Sequence, residues 1–177
     1  MSESNQDEGN RGQGNRDQGN GDQGYRHILL AVDFAPESEV VTQRALTLRA
    51  RFDARLTLVN IVDYVPPGAD YAAGAFVAEP VLPEEFQLEQ ELIDVARREL
   101  DRLGERIGVP PEGRIVEFGS AGRSIEHVAK DLGVDLIVVG ARDHNWLSSL
   151  FGSTPRTLLR HEVCDLLAVR IPQPAED

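Results

Sequence analysis

Apolar residues along this chain cluster into short runs that predict buried β-strands. Each run is largely continuous and is bounded by turn residues, which is typical of strands covered on both faces of a parallel sheet. The predicted strands are His27–Val32, Leu56–Val62, Arg114–Phe118, Leu136–Gly140 and Asp165–Arg170. The fourth ends at Gly140, where the absence of a side chain allows close approach to the backbone.

Between these runs, apolar residues recur with the spacing of amphipathic helices. The predicted helix starts are Pro36–Ser38, Glu84, Ser124 and Ser153–Thr154, and the second helix runs to Ile107. The third start follows a predicted turn at Gly119–Gly122. At the fourth start, Ser153 and Thr154 can cap a helix and Pro155 suits its first turn.

This order of elements predicts an α/β fold, a single open doubly wound parallel sheet of five strands with helices on both faces. Right-handed crossovers leave few topologies. In one of them, with the strand order 3-2-1-4-5, the first and fourth strands meet at a switch point where ligands bind beyond the carboxyl ends of the strands. Asp33 and Gly140 would line that crevice, and a helix start at Gly152–Thr154 would attract phosphate. An ordinary crossover without a ligand explains the same glycine-rich loop, because such loops are weak motifs.

Composition divides the chain into three parts. Residues 1–24 contain three copies of an Asn-x-x-Gln-Gly unit and few apolar side chains, so we expect a disordered tail. The predicted domain spans residues 25–172, and residues 173–177 form a short C-terminal tail. Within the domain, residues 64–83 are rich in Pro, Gly and Ala and are long for a loop. They form either a lid or partner-contacting loop, or an insertion without a role.

The charge and the cysteine count exclude several classes of protein. The formal net charge is −12, which argues against general nucleic-acid affinity because that affinity needs a basic face. The single cysteine, Cys164, excludes an intrachain disulfide framework and a cysteine-based metal cluster. No run approaches the 18 apolar residues of a spanning helix, and no apolar signal core is seen. We therefore expect a soluble cytoplasmic protein that does not bind membranes.

Four segments taken together resemble the universal stress protein family. They are His27–Pro36, Asp135–Gly140, Gly152–Thr154 and His161–Arg170. The resemblance covers about residues 25–172 and implies the strand order 3-2-1-4-5. It also implies a homodimer paired through the last strand, and an exposed strand edge at Leu166–Ile171 needs such a cover. The function implied is that of a dimeric stress-response binding or regulatory module.

Many members of this family bind ATP through the pattern Gly-x2-Gly-x9-Gly-[Ser/Thr], from which this sequence departs. Gly140 matches the first glycine, but Asp143 replaces the second and the loop to Gly152 is one residue short. The Asp143 side chain adds a negative charge and a Cβ where a phosphate would approach, and both oppose anion binding. We therefore expect at best weak ATP binding, with Mg²⁺ present only if ATP binds.

The resemblance implies a set of nucleotide-contacting residues. Ala31 and Asp33 would face the adenine or the ribose, and Ile61 would offer its backbone to the adenine. The phosphates would be surrounded by Gly140, Gly152, Ser153 and Thr154. Each position has a structural alternative: Asp33 as the cap of a turn, Gly140 as a hinge, and the Ser-Thr pair as a helix cap.

The sequence favours a binding protein over an enzyme. We find no nucleophile paired with a base and no phosphate-loop lysine, and the histidines lack the spacing of metal ligands. We expect Cys164 to be a small buried residue and not a redox sensor. The alternatives are an ATP-dependent switch that regulates a protein partner, whose identity the sequence does not reveal, and a slow ATPase. We predict no catalytic residues and no metal site.

Overall fold

The computed structural model of the chain describes residues 24–63, 83–141, 158 and 163–172, with the backbone alone at residues 83–86. All five predicted strands fall within this part of the chain. Most of the predicted tail, the loop after the second strand and the C-terminal tail lie outside the described residues, so the predictions made for them stay predictions.

The five strands form one parallel sheet in the order β3-β2-β1-β4-β5, which confirms the predicted fold class. The strands are β1 (His27–Ala31), β2 (Arg55–Val62), β3 (Arg114–Phe118), β4 (Leu136–Ala141) and β5 (Asp165–Arg170). Strand bounds differ from the predicted ones by at most one residue. Apolar runs thus fix both the number and the limits of the strands, because every central strand is buried on both faces.

Three described helices connect the strands: α1 (Glu39–Phe52), α2 (Pro83–Ile107) and α3 (Ala121–Leu132). Single 3₁₀ turns at Pro36–Ser38 and Pro111–Gly113 precede α1 and β3. Of the predicted fourth helix, Leu158 is described, and it is helical and buried.

The predicted start of the third helix was wrong by one turn. The helix begins at Ala121 with Ser120 as its N-cap residue, so Ser124 lies inside the first turn and its N–H donates to the Ser120 carbonyl at 3.0 Å. Gly119 has a φ of 135°, which lets the chain leave β3 and enter the helix without the longer turn that we expected. Gly122, in the first turn of the helix, is buried.

Successive residues of each strand point to opposite faces of the sheet, so they pack into two separate cores, one on each face. The core beneath α1 and α2 contains Ile28, Leu30, Leu56, Leu58, Leu136 and Val138 from the strands. The core beneath α3 contains Leu29, Val59, Ile137 and Val139, together with Leu158. Helices therefore cover both faces of the sheet, and function in such folds usually lies on the loops that the scaffold positions.

The amino-terminal edge of the sheet is fixed by a polar network. The Asp135 carboxylate accepts the backbone N–H groups of Arg26 and His27 at 2.9 and 3.1 Å. The Tyr25 hydroxyl donates to Asp165 Oδ2 at 3.0 Å, and its ring lies edge-on to Phe52 at a centroid distance of 5.3 Å. These contacts join the start of the domain to the starts of β4 and β5, at the edge opposite the predicted crevice.

Candidate functional site

The pairing of β1 with β4 is the shortest along the central strands. It covers three residue pairs, Ile28–Leu30 against Leu136–Val138, whereas β1 pairs with β2 over five and β4 with β5 over six. Beyond Leu30, β1 stays hydrogen-bonded to β2 and β4 stays paired with β5. The Val32 N–H, for example, donates to the Val59 carbonyl at 2.9 Å. The two strands therefore separate at the switch point, which is where the ligand crevice of doubly wound sheets lies.

Asp33 lies exposed on the loop that leaves β1 beside this crevice. Its Oδ1 atom accepts the N–H of Ala35 at 3.2 Å, which is an Asx turn. The turn-capping role that the sequence left open is thus present. This bond fixes the carboxylate on the loop that leaves β1, at the carboxyl edge of the sheet.

Phe34, the next residue, has a backbone conformation that bulky residues rarely adopt. Its φ is 59°, in the left-handed region, which costs on the order of 1 kcal/mol for an L-residue. Its side chain is 36% exposed and belongs to neither core. Sequence reasoning missed this residue, although an aromatic side chain directly after a strand-ending aspartate was a visible signal.

Asn60 is a second residue that sequence reasoning missed. It lies within β2, is 7% exposed, and its Nδ2 atom donates to the Val32 carbonyl at 2.8 Å. The bond ties the end of β1 to β2 just before Asp33. The signal was a single amide between apolar neighbours, because a buried amide needs a partner for its polar atoms.

Gly140 lies within β4, one residue before the end of the strand, and not at its end as predicted. A Cβ at this position would come within 2.7 Å of Ile171 Cδ1 and 3.3 Å of Val41 Cγ2. The missing side chain therefore allows α1 and the end of β5 to pack closely against β4. This packing role accounts for the glycine without a hinge, and it leaves the Gly140 backbone at the crevice.

Of the other predicted contact residues, some lie within the described part of the chain and some lie outside it. Ala31 ends β1, and Ile61 lies near the end of β2; both are partly buried against the core beneath α3. Gly152, Ser153 and Thr154 lie outside the described residues, as does Asp143. The structure thus brings Ala31, Asp33, Ile61 and Gly140 to the carboxyl edge of one sheet, and the predicted phosphate contacts of the later loop stay predictions.

The described part of the chain contains neither a metal-binding cluster nor a readily ionised thiol. No group of three His, Cys, Asp or Glu side chains there has the arrangement of a metal site. Burial, reinforced by Asp165 and Asp135, raises the pKa of the half-buried Cys164 thiol to about 11, so the thiolate is scarce at neutral pH. No helix in the described ranges is long and apolar enough to cross a membrane.

An open parallel sheet of order 3-2-1-4-5 with a crevice at its switch point defines the class of doubly wound α/β proteins. A sequence model of the universal stress protein family matches residues 24–170, and the chain belongs to this family.

Relatives and solved structures agree with this assignment. Universal stress protein A homolog 1 of Coxiella burnetii is 34% identical over 145 residues, covering 82% of this chain and 96% of the relative. The solved structure of universal stress protein UspA from Lactobacillus plantarum has a TM-score of 0.61 at 23% identity, covering 83% of this chain and 99% of that one. A family protein from Burkholderia pseudomallei gives 0.54 at 26% identity, covering 82% and 96%.

Proposed function

We propose that this chain is a non-catalytic stress-response module that binds an adenine nucleotide weakly in the crevice between β1 and β4 and regulates a protein partner in the cytoplasm. The observation that carries the proposal is the early end of the β1–β4 pairing, with Asp33 fixed at the rim by its Asx turn. A solved universal stress protein in complex with cAMP has a TM-score of 0.51 to this chain at 19% identity, which supports a nucleotide as the ligand class.

Asp33 is the residue to which we assign the ribose. One of its oxygens already accepts the Ala35 N–H, so the carboxylate has a set orientation before a ligand arrives. A ribose hydroxyl that donates to a carboxylate forms a charge-assisted hydrogen bond, which is stronger than a neutral one. The backbone at Ile61 and Gly140 lies at the same sheet edge and would contact the base and the phosphates.

The phosphate loop is expected to limit the affinity. A helix start such as the one predicted at Ser153 and Thr154 stabilises a nearby anion by about 0.3–1 kcal/mol. A carboxylate about 4 Å from a phosphate charge costs about 4 kcal/mol at an effective dielectric constant near 20. The Asp143 charge should therefore outweigh the helix start unless Mg²⁺ or Arg142 lies between the carboxylate and the phosphate. We expect Asp143→Gly to tighten ATP binding for this reason.

A homodimer through β5 is part of the same proposal. The N–H groups of Asp165 and Ile171 donate toward β4, so the alternation of a parallel strand turns the N–H groups of Leu166, Ala168 and Arg170 toward the open edge. Leu166 and Ala168 are half-buried on this strand. A second copy that pairs antiparallel would satisfy these donors and cover the edge with one surface.

Calorimetry with ATP and cAMP, with and without Mg²⁺, tests the nucleotide proposal. The matched variants are Asp33→Asn, in which Oδ1 can still accept the Ala35 N–H, and Asp33→Ala, which removes the Asx turn. Loss of a charge-assisted hydrogen bond should weaken binding by about 10- to 100-fold in both variants. The proposal fails if the unmodified protein binds neither nucleotide, or if Asp33→Asn binds both as well as the unmodified protein does.

A further inference from the structure

Phe34 stands apart from the other exposed apolar side chains of the described residues. Five large apolar side chains there are at least about one-third exposed, and four of them lie on helices: Val40, Leu88, Val95 and Leu132. Phe34 lies on the loop after β1, at the carboxyl edge where β1 and β4 separate. An aromatic ring in this place is therefore not explained by the packing of a helix against the sheet.

The backbone at Phe34 is held in its left-handed conformation from both sides. Before it, Asn60 Nδ2 holds the Val32 carbonyl at 2.8 Å, and after it, Asp33 Oδ1 holds the Ala35 N–H at 3.2 Å. The 3₁₀ turn that starts at Pro36 is closed by a bond from Ser38 N–H to the Ala35 carbonyl at 2.9 Å. A strained conformation persists only where its surroundings enforce it, and such residues cluster at ligand sites.

We propose that Phe34 is the base-contacting residue of the crevice, its ring stacking on the adenine face while Asp33 holds the ribose. The inference rests on the proposed nucleotide function and extends it to a specificity residue. Glycine or asparagine would fit a φ of 59° without strain, so the conformation alone does not call for phenylalanine. An exposed aromatic face that lies one residue from a ribose-binding carboxylate matches the chemistry of a purine ring.

The matched variants for this proposal are Phe34→Gly and Phe34→Tyr. The first relieves the backbone and removes the ring, and the second keeps a stacking surface in the same conformation. The ligands are ATP, adenosine and inorganic tripolyphosphate, each titrated by calorimetry. Loss of one stacked aromatic should weaken ATP and adenosine binding by the same factor of about 5- to 100-fold. Tripolyphosphate binding should not change, and Phe34→Tyr should retain the affinity for all three ligands.

Thermal unfolding supplies the second readout. Glycine relieves the strain at a φ of 59° but adds conformational entropy to the unfolded chain, and each effect is on the order of 1 kcal/mol. Phe34→Gly should therefore leave the Tm within about 3 °C of the unmodified protein. Unchanged stability together with a loss of adenosine binding is the signature of a residue kept for ligand contact. A fall in Tm of several degrees would instead mark Phe34 as a packing residue and overturn the inference.

The outcomes separate this inference from the function on which it rests. If the unmodified protein binds ATP and Phe34→Gly binds it equally well, the stacking role is wrong and the nucleotide function stands. If the unmodified protein binds none of the adenine ligands, the proposed function fails and the stacking role fails with it. If tripolyphosphate binding falls as much as adenosine binding does, Phe34 shapes the whole loop and does not contact the base.

Discussion

The guanidinium Nη2 of Arg55 lies 2.7 Å from Nδ1 of His27, a contact that favours the neutral form of this buried imidazole. Arginine is a donor only, so Nδ1 accepts in this contact, and with the proton on Nε2 the ring donates to Thr57 Oγ1 at 2.9 Å. The Leu132 carbonyl, 3.3 Å from the same Nδ1, favours the opposite assignment. His27 is only 4% exposed. Burial, with a further contribution from the Arg55 charge, lowers the pKa of His27, against the opposing influence of the Leu132 carbonyl and Asp135.

This arrangement predicts that stability falls as the pH falls below about 6.5. In that range the unfolded chain binds a proton at His27 that the folded protein does not, so the free energy of unfolding rises with pH until the imidazole of the unfolded chain is neutral. One such group contributes at most about 1.4 kcal/mol per pH unit. Thermal unfolding between pH 7.5 and 5.5 measures the slope. We expect His27→Gln to flatten it.

Replacing Asn60 should affect stability and ligand binding together. Asn60→Ala leaves the Val32 carbonyl without its amide partner and should destabilise the fold by about 1–3 kcal/mol. Because the loop that carries Asp33 then loses one of its anchors, nucleotide affinity should fall as well. Thr57→Val is the matched control: it removes a buried hydrogen bond on the same strand, but at the opposite edge. Equal losses of affinity in both variants would show that binding simply follows stability.

The packing at Gly140 can be tested by a rescue experiment. Gly140→Ala places a Cβ only 2.7 Å from Ile171 Cδ1, and such overpacking should cost about 1–3 kcal/mol. Ile171→Val removes that Cδ1 atom, so the double variant should recover part of the loss. Urea unfolding of the four proteins gives the coupling energy. Additive effects would show that a different contact opposes the alanine.

The edge of β5 predicts the effect of proline on assembly. Ala168→Pro removes an N–H that points away from β4, so the domain should stay folded and become monomeric in light scattering. Ala168→Thr keeps that N–H and should remain dimeric. Val169→Pro should unfold the domain, because Val169 is buried and its N–H faces β4. A dimer that persists in Ala168→Pro would exclude this edge as the interface.

The sheet could be read from the sequence because its strands bury apolar runs on both faces. Arg114–Phe118 was predicted to the residue, and the order 3-2-1-4-5 follows from the family resemblance and is confirmed. The start of α3 was misread because Ser124 is an equally good capping residue. The sequence does not reveal that Gly119 turns the chain early enough to put Ser124 inside the helix.

The candidate site was only partly readable, for a different physical reason. Asp33 was found because strand-ending carboxylates at a switch point are a known pattern. Phe34 and Asn60 were missed because their importance depends on contacts between separate segments. The positive φ of Phe34 depends on hydrogen bonds on both sides of it in the folded loop. The Asn60 amide finds its partner, the Val32 carbonyl, only when β1 lies beside β2.

The bond between Tyr25 and Asp165 has a practical consequence for work with this protein. It fixes the start of the folded domain at the pole of the sheet that is farthest from the crevice. A fluorophore attached at residue 24 would therefore lie at that pole and leave the ligand entrance clear. Immobilisation at that residue on a sensor surface would present the crevice outward to the solution.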